Sequence, residues 1–114
     1  MKPGLTVRFF RTPSGSEPVR EWLKELDGAS RKSIGADLKT VQLGWPLGMP
    51  LVRKLAPGLW ESRSHIPQGI ARVLFTMNGE TLVLLHGLIK KSQKTPPSDL
   101  ETAIRRMKEI VNEH

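Results

Sequence analysis

The 114-residue chain has no cysteine and no tyrosine, and only three tryptophans and three phenylalanines. Without cysteine there is no disulfide framework and no thiol-based zinc site, which fits a reducing cytoplasm. With so few rings, reading single-stranded nucleic acid by base stacking has little to work with. The three histidines lack metal-ligand spacing, and HExxH, P-loop and GxSxG signatures are missing, so no metal or cofactor is expected. No apolar run approaches the length of a membrane span, and Met1–Lys2–Pro3–Gly4 has no apolar signal region. These absences predict a soluble, cytoplasmic protein with no membrane partner. The length suits one core without staples, and no repeat or linker divides it, which predicts a single domain over residues 1–114.

What the chain has in excess is positive charge: 18 Lys and Arg against 11 Asp and Glu, a net +7. The excess is uneven. Residues 1–52 balance at +3, residues 53–94 at +5 and residues 95–114 at −1. The middle segment carries Arg53, Lys54, Arg63, Arg72, Lys90, Lys91 and Lys94 against Glu61 and Glu80. Clustered positive charge suits a phosphate backbone or an acidic protein.

Periodicity places the elements. Leu5–Phe10 alternates and reads as a strand. Ser16 is placed to cap a helix with Glu17 and Pro18 in its first turn. Val19, Trp22, Leu23 and Leu26 form its apolar stripe, and Asp27–Gly28 ends it. A second helix from near Ser30 turns Ile34, Leu38 and Val41 inward, weakened by Gly35 and stopped near Gly44. Strands follow at Leu51–Leu55, able to run on into Leu59–His65, then at Ile70–Met77 and Thr81–Lys90. Asn78–Gly79 is a two-residue hairpin signal between the last two. A capping box at Ser98 and Glu101 opens a last helix with the stripe Leu100, Ala103, Ile104, Met107, Ile110 and Val111. The order is strand, two helices, three or four antiparallel strands, helix: a small α+β sandwich.

Strand registers bring side chains together. A simple hairpin around Ile66–Gly69 sets His65 opposite Ile70 and Arg63 opposite Arg72, two like charges that need an anion or Glu61 beside them. The Asn78–Gly79 turn sets Arg72 opposite Leu85, and His86 opposite Ala71 on the other face. One face then holds Trp60, Val73, Phe75, Leu82 and Leu84; the other holds Arg63 and Arg72 over an apolar floor. The bland readings are an exposed Glu61–Arg63 pair worth little, a hydrogen-bonded core His86, a surface His65, solvated lysines at the strand end, and tryptophans that anchor the core. The carboxylates offer no persuasive acid–base pair.

The segments Leu59–Arg63, Gly69–Phe75 and Leu84–Pro96, ending in the Lys90–Lys91–Ser92–Gln93–Lys94–Thr95–Pro96 tract, resemble the phage-derived, HigB-like branch of the RelE/ParE toxin superfamily. Glu17–Pro18–Val19 with Trp22–Leu23, and Lys54–Trp60, fit the same pattern, so nearly the whole chain is covered. The resemblance implies a RelE-like sheet flanked by the early helices and a C-terminal helix. It also implies a toxin of a type II toxin–antitoxin pair, with a helix-turn-helix antitoxin as partner. RelE-like members cut mRNA in the ribosomal A site, whereas ParE-like members inhibit DNA gyrase on the same fold, so fold alone does not choose.

Carried over residue by residue, Arg72 matches the superfamily arginine in the strand after the loop, and Arg63 falls at a basic strand position. Glu61 stands where RelE-like nucleases have a second lysine, and their C-terminal tyrosine has no counterpart. The leading expectation is a ribosome-dependent mRNA endoribonuclease in contact with ribosomal RNA, using metal-free 2′-hydroxyl attack. Arg63 and Arg72 would stabilise charge, Lys90 and Lys94 would supply proton transfer, and His86 is a reserve acid–base group. Arg53, Lys54, Lys91 and Gln93 would bind RNA. The rivals are a gyrase inhibitor and a degenerate toxin that binds only antitoxin or RNA.

Overall fold

A computed structural model describes residues 4–111. Met1–Lys2–Pro3, the Val111 side chain and Glu113 lie outside what is described. The elements are β1 (Thr6–Phe9), α1 (Pro18–Glu25), α2 (Gly28–Gly44), β2 (Val52–Ala56), β3 (Leu59–Ile66), β4 (Gly69–Asn78), β5 (Thr81–Lys90) and α3 (Pro97–Val111). They form an α+β protein with one mixed sheet in the order β1-β5-β4-β3-β2. β1 runs parallel to β5; the other pairs are antiparallel.

Period-2 alternation gives the sheet two apolar faces, each covered by helices. Val19 of α1 and Ile34, Leu38 and Val41 of α2 pack on Val73, Phe75, Leu82 and Leu84. Ala103 and Ile110 of α3 pack on Leu59, Leu74, Val83 and Leu85. Trp45 meets Trp60 and Phe75 edge-on at 4.9 and 5.5 Å between ring centres, so these tryptophans are core anchors. Trp22 lies flat on β5 where Gly87 leaves room: a Cβ there would stand 2.3 Å from the indole.

Several boundaries differ from the sequence reading. Glu17, not Ser16, is the N-cap of α1, because the Ser16 hydroxyl pairs with Thr12 at 2.8 Å. Asp27 does not end α1; it caps α2, accepting from the Ser30 N–H at 3.0 Å. β2 and β3 are separate strands around the Pro57–Gly58 turn. Ser98 falls inside the first turn of α3, where the Asp99 and Leu100 N–H groups donate to the Pro96 carbonyl instead of a capping box.

The β3–β4 register is as expected, with Arg63 opposite Arg72 and His65 opposite Ile70. The β4–β5 register is not. The turn is Gly79–Glu80, with Asn78 paired to Thr81 and Gly79 supplying the positive φ of 62°. A bulge at Leu85 then shifts the ladder between Leu74 and Phe75. Arg72 consequently faces Leu88, and His86 faces Leu74 on the arginine side of the sheet instead of Ala71 on the other.

Candidate nucleic-acid interface

Cross-strand pairing gathers Glu61, Arg63, Arg72, His86 and Lys90 on the face that α3 covers. The helix covers only part of it. Over the rest runs the link between β5 and α3, a strap of exposed residues 91–94 followed by Thr95 and Pro96. The strap is tied down by side chains from below. Arg72 Nη2 donates to the Ser92 carbonyl. Arg63 Nη2 donates to Gln93 Oε1 at 2.9 Å, and Arg53 Nη1 donates to the Gln93 carbonyl at 3.1 Å. Thr95 Oγ1 donates to Glu61 Oε2 at 2.5 Å, while Glu61 Oε1 accepts from Arg63 at 3.0 Å.

The Glu61–Arg63 pair is therefore buried, not exposed: the carboxylate is 0% and the guanidinium 6% accessible. Arg72 is fully buried as well, yet its Nε and Nη1 have no hydrogen-bond partner among the described residues. Burial pushes the Arg72 pKa down from its usual value; Glu61 opposes that shift, and Arg63 and Arg53 add to it. A guanidinium with spare donors, short of counter-charge and held by a sheet, has the chemistry to receive an anion once the strap above it moves.

The other expected residues divide. Arg53 faces Glu61 and joins the cluster, whereas Lys54 faces Trp60 on the opposite side of the sheet. Lys90 is exposed at the end of β5, and Lys91 and Lys94 are exposed on the strap. Gln93 is in the cluster through its carbonyl and side chain. His86 is engaged at both nitrogens: Nε2 lies 2.6 Å from Asp99 Oδ1, and Nδ1 lies 3.4 Å from Arg106 Nη1. With Asp99 accepting from Nε2 and Arg106 donating to Nδ1, the imidazole forms a clasp between β5 and α3. Arg106 also donates to the Leu85 carbonyl at 2.8 Å and lies over the Phe10 ring. Burial lowers the Arg106 pKa, helped by Arg105 and opposed by Glu109. His65 is exposed, as expected.

Sequence reasoning missed Thr95 and the Ser92 carbonyl, because nothing local says that residues 91–96 double back across the sheet. The paired prolines, which hold the preceding chain extended, were the one available hint. Among the described residues no group of His, Asp or Glu could hold a metal, and no helix is long and apolar enough to cross a membrane.

Fold and site thus define a small basic α+β protein whose arginine-bearing sheet face is roofed by its own chain. Residues 21–108 match the family described as Phage derived protein Gp49-like (DUF891). Two similar proteins, both named probable endoribonuclease HigB1, come from Mycobacterium tuberculosis strains CDC 1551 and H37Rv. Each is 31% identical over 105 residues, covering 90% of this chain and 82% of the relative. The chain belongs to this phage-derived, HigB-like toxin family. Membership implies an antitoxin partner.

Proposed function

We propose that this toxin is an endoribonuclease that cuts mRNA on the ribosome, in the cytoplasm, on a RelE-like fold. The observation that carries the reading is the convergence of Arg53, Arg63 and Arg72 on oxygens of Ser92 and Gln93, with two Arg72 nitrogens still unpartnered. Phosphate oxygens would take the places of those strap oxygens once the exposed strap lifts.

The reaction is attack of a ribose 2′-oxygen on the adjacent phosphorus. A P–O bond to that oxygen forms and the bond to the 5′-oxygen breaks, leaving a 2′,3′-cyclic phosphate and a 5′-hydroxyl. The pentavalent phosphate gathers negative charge, which Arg72 and Arg63 would stabilise bidentately. A base must take the 2′-proton and an acid must supply one to the 5′-oxygen. With no tyrosine in the chain and His86 already engaged at both nitrogens, Lys90 and Lys94 are the proposed groups. Arg53, Lys91 and Gln93 flank the cluster as backbone contacts. Lys54, on the far side of the sheet, would touch ribosomal RNA rather than the scissile phosphate. The antitoxin is proposed to be of the helix-turn-helix type.

The test is induction of the wild type and of Arg72→Ala in cells, with primer-extension mapping of several mRNAs. Translation-dependent 5′ ends with the wild type alone are expected. Growth arrest without new ends would overturn the nuclease in favour of gyrase inhibition, and harmless overexpression would favour a degenerate binding module.

A further inference from the structure

Residues 91–96 cross the arginine cluster without belonging to the sheet or to a helix. Both ends are fixed from outside the cluster. At the start, the Lys90 carbonyl lies against Gly69 at the head of β4, 3.0 Å from where a Cβ would stand. At the end, the Pro96 carbonyl accepts from the N–H groups of Asp99 and Leu100 at 3.1 Å. The middle of the strap therefore has fixed hinges and is able to leave the sheet without unwinding β5 or α3.

What holds the middle down is a set of polar ties. Ser92 and Gln93 offer two carbonyls and one amide oxygen to Arg53, Arg63 and Arg72. Thr95 adds its hydroxyl to Glu61. Residues 91–94 are all exposed, so apolar burial does nothing to close them. Charge works against closure. Lys91 and Lys94 are brought towards three guanidiniums, and among the described residues Glu61 is the carboxylate that meets the cluster. The fit is also incomplete. A tie with a purely structural role satisfies the buried groups it meets, yet Arg72 keeps Nε and Nη1 unpartnered. Neutral oxygens spread over guanidiniums, with donors left over, make a weak stand-in for an anion.

We infer that residues 91–96 are a built-in competitor for the phosphate site: the closed strap fills the arginine cluster with its own oxygens, and a phosphodiester binds only by displacing it. The inference rests on the reading of that cluster as the phosphate site, and adds how access to it is set. Apparent affinity falls with the fraction of molecules whose strap is closed. Loosening the strap then tightens binding, the opposite of what losing a ligand contact does.

The probe is a short oligodeoxythymidylate, which has phosphodiesters but no 2′-hydroxyl to attack. It is titrated into the isotope-labelled full chain and followed by NMR of the backbone amides and the arginine Nε–H groups. Thr95→Val removes the hydroxyl tied to Glu61, and Gln93→Ala removes the amide oxygen tied to Arg63. Neither alters the net charge, and Gln93 is exposed, so its variant still folds if Thr95→Val does not. Thr95→Val should bind the probe about tenfold tighter than the wild type. Gln93→Ala also gives up the RNA contact proposed for that side chain and should gain less, about threefold. As probe is added, the Arg72 Nε–H should shift and the amides of residues 92–95 should exchange faster. Affinity at or below the wild-type value in either folded variant, or shifts confined to Lys90, Lys91 and Lys94 with Arg72 unmoved, would overturn the inference. The probe cannot be cut by 2′-oxygen attack, so the two readings fail separately. Tighter binding by Thr95→Val without new mRNA ends in cells sinks the nuclease alone. Unchanged binding with normal cleavage sinks the competitor strap alone.

Discussion

Replacing Arg72 by methionine should make the protein more stable while abolishing its action on RNA. The side chain is fully buried, and of its three nitrogens only Nη2 has a partner. Each buried polar group left unpaired costs about 1–3 kcal/mol. Attraction to Glu61 returns part of this, while Arg63 and Arg53 repel. Because burial sets the folded pKa below the unfolded one, the charged form disfavours the folded state at every pH below both, and that penalty lifts as pH rises through the folded pKa. Methionine fills a similar volume without a charge. Glu61 is not orphaned by the change, since Arg63 and Thr95 still donate to it, and the exposed Ser92 carbonyl can turn to water. Exchanging a poorly compensated buried charge for an apolar side chain is commonly worth about 1–4 kcal/mol. We expect a gain of about 1–2 kcal/mol in urea denaturation, or roughly 4 °C of Tm per kcal/mol, together with loss of mRNA cleavage. A loss of about 1 kcal/mol or more would show that the guanidinium is satisfied in place. The reasoning that treats it as an anion receptor waiting for a phosphate would then fail.

Three further outcomes follow from local geometry. Hydrogen bonds from Ser30 and Gln68 hold the Asp27 carboxyl at a pKa of about 2. Its contribution is therefore complete above about pH 4 and lost as pH falls through about 2: Asp27→Ala should lower Tm at pH 7, and the gap to wild type should close in acid melts. Gly87→Ala drives a methyl into the Trp22 ring and should cost about 1–3 kcal/mol in chemical denaturation, with the Trp22 fluorescence altered in the folded state. His86→Ala removes the clasp to Asp99 and Arg106 and should cost about 1–2 kcal/mol of stability, while cleavage per folded molecule stays at the wild-type level.

The two faces of the sheet were legible from alternation alone, because Trp60, Val73, Phe75, Leu82 and Leu84 sit at spacings that only one face can collect. The Arg63–Arg72 juxtaposition was legible too, since a tight loop at Ile66–Gly69 leaves one simple register. The hairpin after β4 was not. Asn78–Gly79 advertises a turn centred there, but the turn moves one residue on and a bulge at Leu85 shifts the pairing one residue further, which carries His86 to the other face. A bulge is fixed by packing on both faces at once, which no local window contains. The strap was invisible for the same reason: its ties run from Ser92, Gln93 and Thr95 to Arg72, Arg63, Arg53 and Glu61, 20 to 40 residues earlier.

Glu61 is where fold and site are most tightly joined. Among the described residues it is the carboxylate that meets the strap, and it stands beside three guanidiniums. One oxygen takes Arg63 and the other takes the Thr95 hydroxyl, so the same group offsets part of the cluster's charge and pins the strap. Glu61→Ala leaves Arg63 buried without its counter-charge, and breaking one side of such a pair costs about 3–5 kcal/mol. The double variant Glu61→Leu/Arg63→Met removes both charges and should recover most of that loss. In each variant Thr95 loses its anchor, so amide exchange across residues 92–95 should accelerate even where overall stability is regained. Separating the two effects matters: stability follows the charge pair, whereas strap mobility follows the lost ties, Thr95 to Glu61 in both variants and Gln93 to Arg63 as well in the double one. If Glu61→Ala costs less than about 1 kcal/mol, or if exchange in the strap is unchanged in the stable double variant, Glu61 does not hold the roof down, and the arginines beneath it are closed off by some other contact.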